Sequence, residues 1–368
     1  MTSSRPVDRL PPFPWDRLTP FGDRARCHPD GLVDLSVGTP VDPVPALVQS
    51  ALRGASDSPG YPTTQGTPAL RAAAVGWMGR QLGVSGVDGV DESAVLPVMG
   101  TKELVAWLPT LLGLGPGTRV VVPELAYPTY EVGARLAGAD VVLADSTVAV
   151  GPSQVSLVWL NSPSNPTGRV LPAEHLRKVV DWARERGALV VSDECYVELG
   201  WDERPVSVLH PDVCGGSASG VLAVHSLSKR SNLAGYRSGF VVGDPGVVAQ
   251  LLEVRKHAGM MVPAPVQAAA TAAWADDAHV VEQRARYSAR RDLLRAALVE
   301  AGFTIEHSQA GLYLWVTRGE PCLDTVSWFA DRGVLVAPGD FYGAAGSHHV
   351  RVALTATDER VESAATRL

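Results

Sequence analysis

The chain has 368 residues, 46% of them hydrophobic, which is ample for one large or two modest hydrophobic cores. Its net charge is −7 and it has no basic block, which argues against nucleic acid or an anionic membrane as a partner. No apolar run approaches the roughly 18 residues of a spanning helix, and the N-terminus lacks an apolar signal core, so a cytoplasmic protein is expected. Four widely separated cysteines without a Cys-x-x-Cys pair predict reduced thiols and no metal site.

The elements along the chain alternate between strand and helix patterns. Residues 1–30 are rich in Pro, Arg and Asp and predict an irregular arm. Apolar runs separated by helical patterns follow, as in α/β proteins. The helical segment 172–187 repeats apolar residues at helical spacing and ends in a glycine. Several of the runs are apolar almost throughout, which is typical of strands covered on both faces; the predicted strands are 94–99, 119–124, 140–144, 156–161, 188–193, 221–227 and 239–243.

The pattern changes after about residue 245, where a long helical region begins. Three further strand patterns follow, at 311–316, 334–339 and 348–355. We therefore predict an α/β fold with a large domain, whose mostly parallel sheet is flanked by helices, and a smaller α+β domain. The predicted division is an N-terminal arm that joins the small domain, a large domain, and an interdomain helix with the small domain, at residues 1–40, 41–245 and 246–368.

Candidate site residues cluster at the carboxyl ends of the predicted strands, where parallel α/β sheets bind their ligands. Lys229 follows the strand 221–227, with Ser226 three residues before it and Arg237 eight residues after it. An amine in this setting suits imine formation beside a bound phosphate, which Ser226 and Arg237 would hold. The alternative is a solvated surface lysine, which this apolar, Gly- and Ser-rich segment disfavours.

Two further strand ends carry polar motifs. In DECY, Asp193 ends a strand, and a carboxylate there can pair with a pyridinium nitrogen or, alternatively, cap a helix. Tyr196 could donate a hydrogen bond to a phenolic oxygen on that pyridinium ring. NPTG is a turn sequence, which is its simplest interpretation. Alternatively, Asn165 could contact the ring oxygen and a substrate carboxylate.

The segment VMGTKEL is a strand that leads into a helix through Gly100, Thr101 and Lys102. Backbone amides at such a helix start can bind a phosphate. Tyr127 follows another strand and could stack on a cofactor ring, while Tyr61 precedes a helix. Either tyrosine could instead serve ordinary packing.

Arg351 lies inside the apolar strand pattern HHVRVAL. A buried arginine needs a partner. The carboxylate of an amino-acid substrate would match its two-pronged guanidinium, and an acidic residue of the chain is the structural alternative.

In order and spacing, these motifs resemble the fold-type I, class I/II aminotransferases, which depend on pyridoxal 5′-phosphate (PLP). The resemblance rests on GTK, Tyr127, NPTG, DECY, SLSK with the later Arg237, and Arg351. It runs from about Gly38 to Arg351, nearly the whole chain.

The resemblance implies a role for each matching residue. Lys229 would carry PLP as a Schiff base and transfer the substrate proton, and Tyr61 would reach the phosphate of the neighbouring subunit in a homodimer with shared sites. The other implied roles are the pyridine-nitrogen partner Asp193, the ring-oxygen contacts Tyr196 and Asn165, the stacking Tyr127, the phosphate contacts Gly100, Thr101, Ser226 and Arg237, the further cofactor-binding residue Lys102, and the substrate-carboxylate contacts Arg351, Asn165 and Gly38.

Within the family, the short chain, the PPFPWDRL arm and SLSKRSNLAGYRSGF are most similar to actinobacterial succinyldiaminopimelate aminotransferases of lysine biosynthesis. This similarity implies amino-group exchange between N-succinyl-diaminopimelate with its keto acid and glutamate with 2-oxoglutarate. No motif identifies residues for the substrate side chain, so aminotransferases for aspartate or an aromatic amino acid are alternatives.

Three other functions are alternatives to an aminotransferase. A PLP-dependent C–S β-lyase would use the same cofactor residues without an acceptor keto acid. The spacing of Ser226 and Lys229 fits the S-x-x-K motif of serine acyl-enzyme hydrolases, but their K-T-G motif is absent from the sequence. A PLP-binding regulator would carry a DNA-binding segment, and no basic module is present.

Overall fold

A central sheet organises the larger part of the chain in the computed structural model, which describes residues 5–152 and 154–368. In these residues the sheet has seven strands, and β8 runs antiparallel to its neighbours β2 and β7 while the other pairs are parallel. In chain order, β2 to β8 are Val95–Val98, Arg119–Val122, Asp140–Leu143, Leu157–Asn161, Leu189–Asp193, Val221–Ser226 and Gly239–Gly243. Their order across the sheet is β2-β8-β7-β6-β5-β3-β4.

Each of the seven strands predicted for this part is present, with the same or slightly shorter bounds. Alternate residues of one strand enter two different hydrophobic clusters, because successive side chains point to opposite faces. Val158 joins one cluster, and Leu157 and Trp159 join the other. Both faces of the sheet are therefore covered, which explains why these strands are apolar almost throughout.

Helices cover the sheet and connect its strands. The predicted helix at 172–187 is present as α7, which buries Leu176, Val179, Val180 and Ala183. None of the helices in the described ranges combines the length and apolarity needed to cross a membrane. The helices α1 to α14 are Thr19–Arg26, Ala46–Gly54, Pro68–Trp77, Thr101–Leu111, Thr129–Ala137, Thr147–Val150, Ala173–Arg184, Pro211–Cys214, Leu227–Arg230, Pro245–Ala258, Ala264–Ala275, Ala278–Glu300, Cys322–Ala330 and Asp358–Ala365.

The prediction of an irregular arm over residues 1–30 is wrong for Thr19–Arg26, which form the helix α1. This helix has a proline in its first turn, where the missing N–H costs no hydrogen bond. It buries Gly22 and Ala25 and packs against α13. Tertiary packing of these two small residues thus stabilises a helix in a segment whose composition favours loop structure.

A second, antiparallel sheet lies in the C-terminal part of the described chain. It has the order β12-β13-β10-β9, and a separate parallel pair joins β1 to β11. The strand predicted at 334–339 is two strands in different sheets, since β11 pairs with the N-terminal β1 and β12 pairs with β13. The boundaries of the N-terminal arm, the large domain and the small domain, at residues 40 and 245, stay a prediction. The bounds of β1 and β9 to β13 are Val33–Asp34, Thr304–Glu306, Tyr313–Thr317, Val334–Leu335, Ala337–Pro338 and Val350–Ala353.

Candidate active site

Three neighbouring parallel strands, β5, β6 and β7, end at Asn161, Asp193 and Ser226. Their carboxyl ends open into a cavity of about 490 Å³, which Arg351 of β13 also lines. The central sheet and the C-terminal sheet therefore both contribute side chains to one cavity.

The structure brings most of the predicted site residues together. Gly100 lies just outside the cavity, beside Arg237, and Tyr61 is 98% exposed and does not line it. The predicted residues that line the cavity are Gly38, Thr101, Lys102, Tyr127, Asn165, Asp193, Tyr196, Ser226, Lys229, Arg237 and Arg351.

Lys229 lies in the short helix α9, which begins immediately after β7. Its Nζ donates a hydrogen bond to the Gly38 carbonyl. Burial lowers the pKa of Lys229, although nearby Tyr313 opposes this shift. A lysine whose pKa is lowered is more often uncharged, and only the uncharged amine can act as a nucleophile or base.

Asp193 is buried at the end of β6 and receives two hydrogen bonds. The Tyr130 hydroxyl donates to it over 2.8 Å and the Cys195 backbone N–H over 3.2 Å. Burial raises the pKa of Asp193, and these two hydrogen bonds oppose that effect because they stabilise the charged carboxylate. Such a carboxylate can pair with a cationic ring nitrogen.

Replacing Tyr130 with phenylalanine removes one of these donors and keeps the ring that packs on Trp159. The pKa of Asp193 then rises further, so more carboxylate is protonated at a given pH. We expect the acid limb of the kcat/KM profile to move to higher pH, with a loss of about tenfold below neutrality. Tyr287→Phe removes a buried hydroxyl that donates to Asn232 and serves as the control. An acid limb that stays in place in Tyr130→Phe would contradict this role.

A candidate anion site lies where β2 leads into α4. Gly100 precedes this helix with φ of 81°, and a Cβ there would overlap the Arg237 guanidinium. The guanidinium therefore sits directly against the start of the helix, whose free N–H groups attract anions. Ser226, which caps α9, and Thr101 line the same end of the cavity. These groups match the charge and donor requirements of the PLP phosphate.

Arg351 is buried and holds two acceptors of the protein. Its Nη1 donates to Asn165 Oδ1 over 2.8 Å and its Nη2 to the Ser36 carbonyl over 2.6 Å. Its guanidinium also lies 3.9 Å from the centre of the Tyr313 ring. Its buried Nε has no partner among the described residues, and no acidic residue among them pairs with this arginine. The structure therefore does not support the alternative in which Arg351 pairs with an acidic residue of the chain.

One backbone segment accepts hydrogen bonds from three side chains. The carbonyls of Ser36, Val37 and Gly38 accept hydrogen bonds in turn from Arg351, Thr355 and Lys229. A Cβ at position 38 would overlap the Tyr313 hydroxyl, so glycine allows this close approach. The segment fixes Lys229 and Arg351 relative to each other.

Sequence reasoning missed the tyrosines that support the predicted residues. The Tyr313 hydroxyl lies 3.1 Å from that of Tyr196, and the positive charges of Arg351 and Lys229 lower its pKa although burial opposes this. Burial, together with Tyr313, raises the pKa of Tyr196. A tyrosine in the apolar strand GLYLWV was a usable signal, because a buried hydroxyl needs a polar partner.

Comparison with known protein families shows which family the chain belongs to. The family model described as aminotransferase class I and II matches residues 30–368. The chain belongs to this family. Its members depend on PLP, so this aminotransferase uses PLP to exchange amino groups between amino acids and keto acids. This finding sets aside the serine hydrolase alternative.

The chain is similar to relatives across almost its full length. It is 66% identical to a probable aminotransferase of Mycobacterium tuberculosis, over 98% of this chain and 85% of that protein. It is 61% identical to the 4-dedimethylamino-4-oxo-anhydrotetracycline transaminase OxyQ of Streptomyces rimosus, over 98% of this chain and 99% of that protein. A solved structure of a probable N-succinyldiaminopimelate aminotransferase from Thermus thermophilus aligns with a TM-score of 0.85 and 29% identity, over 96% of this chain and 99% of that one. The predicted fold-type I architecture is confirmed.

Proposed function

We propose that this aminotransferase exchanges amino groups between N-succinyl-LL-2,6-diaminopimelate and 2-oxoglutarate in lysine and diaminopimelate biosynthesis. The observation that carries the reaction class is the meeting of Lys229, Asp193 and Arg351 in one cavity. The substrate assignment rests on the size and rim of that cavity. As part of the same proposal, the reaction takes place in the cytoplasm.

In this proposal the cavity residues hold PLP by its two charged ends. Asp193 would pair with the ring nitrogen, and Arg237 with the start of α4 would bind the phosphate. Tyr127 would stack on the ring, and Tyr196 and Asn165 would contact the ring oxygen. When bound, PLP supplies an electrophilic carbon and a ring that accepts negative charge.

The proton chemistry falls to Lys229. Its uncharged amine would remove the proton from the substrate Cα and hold it on Nζ for return, so the same atom would act as base and then as acid. Arg351 would orient the substrate by binding its α-carboxylate through the second N–H of each terminal nitrogen, beside the donors already used by Asn165 and Ser36. The Gly38 carbonyl holds the lysine amine in place between these transfers.

The lining of the cavity suits a long, acidic substrate. Besides Lys229 and Arg351, it includes Phe13 and Trp15 of the N-terminal segment and the exposed Lys102. Lys102 lies 5.8 Å from the centre of the Tyr127 ring and has no acidic partner among the described residues. The aromatic pair can cover the carbon chain of an acylated amino acid, and Lys102 can attract its distal carboxylates.

The names of the relatives support an enzyme for a large amino substrate. The Thermus protein is named for N-succinyldiaminopimelate, and the Streptomyces protein for a tetracycline intermediate. Both substrates extend well beyond the reacting carbon, as the cavity described above allows.

A half-reaction screen tests the substrate. Each amino donor is mixed with the PLP form, and the conversion of the cofactor is followed by absorbance. The donors are N-succinyl-LL-diaminopimelate, unacylated LL-diaminopimelate, glutamate, aspartate and phenylalanine. We expect the succinylated compound and glutamate to give the highest rates. Aspartate or phenylalanine as the best donor would contradict the substrate assignment and leave the reaction class intact.

Two further assays separate the remaining alternatives. Release of pyruvate and ammonia from cystathionine without a keto acid would indicate a C–S β-lyase. Preferred amination of 4-dedimethylamino-4-oxo-anhydrotetracycline over 2-oxoglutarate would assign the chain to the activity for which its Streptomyces relative is named.

We further propose a homodimer in which Tyr61 completes the partner's phosphate site. Tyr61 is fully exposed in the single chain, an unusual environment for a large aromatic side chain. Tyr61→Phe is expected to weaken PLP binding about tenfold, since one hydrogen bond to a dianion is lost. Equilibrium dialysis of PLP measures the change.

A mixed-dimer experiment tests the sharing. A hybrid of Tyr61→Phe and Lys229→Ala subunits contains one site with both native residues. At limiting PLP, mixing the two variants should raise activity above that of Tyr61→Phe alone. Tyr236→Phe, a half-buried tyrosine that does not line the cavity, is the control. No gain on mixing, with dimers verified by sedimentation, would argue against shared sites.

A further inference from the structure

A second cavity lies on the face of the central sheet that α7 covers. It encloses about 150 Å³ and its lining includes Val121 of β3, Val158 of β5, and Val179 and Trp182 of α7. We call it the α7 pocket. It is separate from the active-site cavity, although both include the end of β5.

The body of the α7 pocket is apolar. Val121, Val158 and Val179 are each nearly fully buried, and the ring of Trp182 borders them. A cavity of this volume lined by apolar side chains is large enough for a benzene-sized ring. A ring bound there would lose its contact with water over most of its surface, which favours binding.

The rim of the α7 pocket carries hydrogen-bond donors. Arg169, His175 and His307 line it, and none of the three side chains has a hydrogen bond or ion pair within the described part of the chain. Partial burial lowers the pKa of His175 and of His307, and the Arg169 charge lowers both further.

The lining also contains one carboxylate, Asp145, which lies near His175. Its Oδ1 accepts a hydrogen bond from the Glu124 backbone N–H over 3.0 Å, and it makes no ion pair with Arg169. The guanidinium of Arg169 therefore keeps its donors available for an external acceptor. A carboxylate is the acceptor that matches this planar group in both charge and geometry.

We propose that the α7 pocket binds a small aromatic carboxylate, with its ring between β5 and α7 and its carboxylate at Arg169. This site lies outside the catalytic cavity and is independent of the substrate assigned above. The combination of an apolar body and an arginine at the rim without an ion-pair partner among the described residues favours such an amphipathic anion over a purely polar metabolite or a neutral hydrocarbon.

Benzoate is the probe for this proposal, and isothermal calorimetry on the PLP-loaded enzyme is the measurement. We expect benzoate to bind with a dissociation constant in or below the millimolar range, and the neutral analogue benzamide about tenfold more weakly. Arg169→Gln should weaken benzoate binding at least about tenfold. Arg177→Gln removes an exposed cation of α7 that does not line the pocket, and it should leave benzoate binding unchanged.

A second pair of variants tests occupation of the pocket. Thr147→Trp places a large ring on a lining position of α6 and should abolish benzoate binding. Val148→Trp changes the next residue, which is 81% exposed and outside the pocket, and should bind normally. Retained cofactor absorbance verifies that each variant is folded.

Binding at the catalytic arginine must be separated from binding at the α7 pocket. Arg351→Ala should keep its affinity for benzoate if the α7 pocket is the site. Loss of binding in Arg351→Ala with full binding in Arg169→Gln would overturn the proposal, because benzoate would then occupy the active site. The absence of heat up to about 10 mM benzoate in the native enzyme would overturn it as well.

Discussion

Replacing Lys229 with alanine is expected to abolish transamination and the absorbance of the lysine-bound cofactor, while the protein stays folded. The lysine is partly buried, and its amine reaches the Gly38 carbonyl from a helix that begins at the end of β7. Lys102 is the other lysine that lines the cavity, and it does not replace Lys229 because it lies against the Tyr127 ring. We expect a loss of activity of at least about 10⁴-fold, because nucleophile and proton carrier are the same atom.

Absorbance spectra and single-turnover assays on the purified variant measure this loss. Lys178→Ala removes an exposed lysine of α7 and should behave as the native enzyme. Circular dichroism checks that both variants are folded. An unchanged cofactor spectrum in Lys229→Ala would refute the assignment of this residue.

Arg351→Ala is expected to lower kcat/KM by about 100- to 1,000-fold with PLP still bound, equivalent to about 3–4 kcal/mol. The side chain is buried, and its two terminal nitrogens donate to Asn165 Oδ1 and the Ser36 carbonyl, which leaves a second N–H on each for a substrate carboxylate. Arg351→Lys should recover little, since an ammonium cannot reproduce the two-pronged contact. Steady-state kinetics with glutamate provides the measurement.

The control for Arg351 is a buried arginine in a structural ion pair. Arg290 donates two hydrogen bonds to Asp42, at 2.8 and 2.6 Å, and lies outside the cavity. Arg290→Ala should lower the melting temperature and leave kcat/KM nearly unchanged at 25 °C. If both variants lose activity in proportion to stability, Arg351 acts through the fold and not through the substrate.

Much of the fold could be predicted from sequence because the central strands are buried on both faces. Their uniform apolar character identified β2 to β8, and the rule for parallel sheets placed Asp193 and Lys229 at one edge. The short strands β1 and β9 could not be found in this way. They contain two and three residues, too few for a period to be read.

The candidate site was predictable where function depends on residues close to a strand end. Asn165, Asp193 and Lys229 each follow a strong apolar run, and the structure brings all three to one cavity. Partners from distant segments were not predictable. The contact of Tyr130 with Asp193 and that of Tyr313 with Tyr196 depend on packing between elements, which local patterns do not encode.

Residues for the substrate side chain were beyond sequence reasoning for a different reason. Phe13 and Trp15 reach the cavity from the N-terminal segment, and their role depends on how that segment folds back. Trp15 packs against Phe341, more than 300 positions away in the sequence. Such a contact has no local signature, so specificity is the least predictable property of this chain.

The three carbonyls of residues 36–38 have a consequence for how this enzyme can be dissected. Alanine scanning leaves a peptide oxygen in place, so substitutions of Ser36 or Val37 would report little of what the segment does. Amide-to-ester replacement, introduced by semisynthesis, weakens a carbonyl acceptor without altering a side chain. Applied to the Ser36 and Gly38 carbonyls in turn, it would separate the anchoring of the carboxylate-binding arginine from that of the reactive amine.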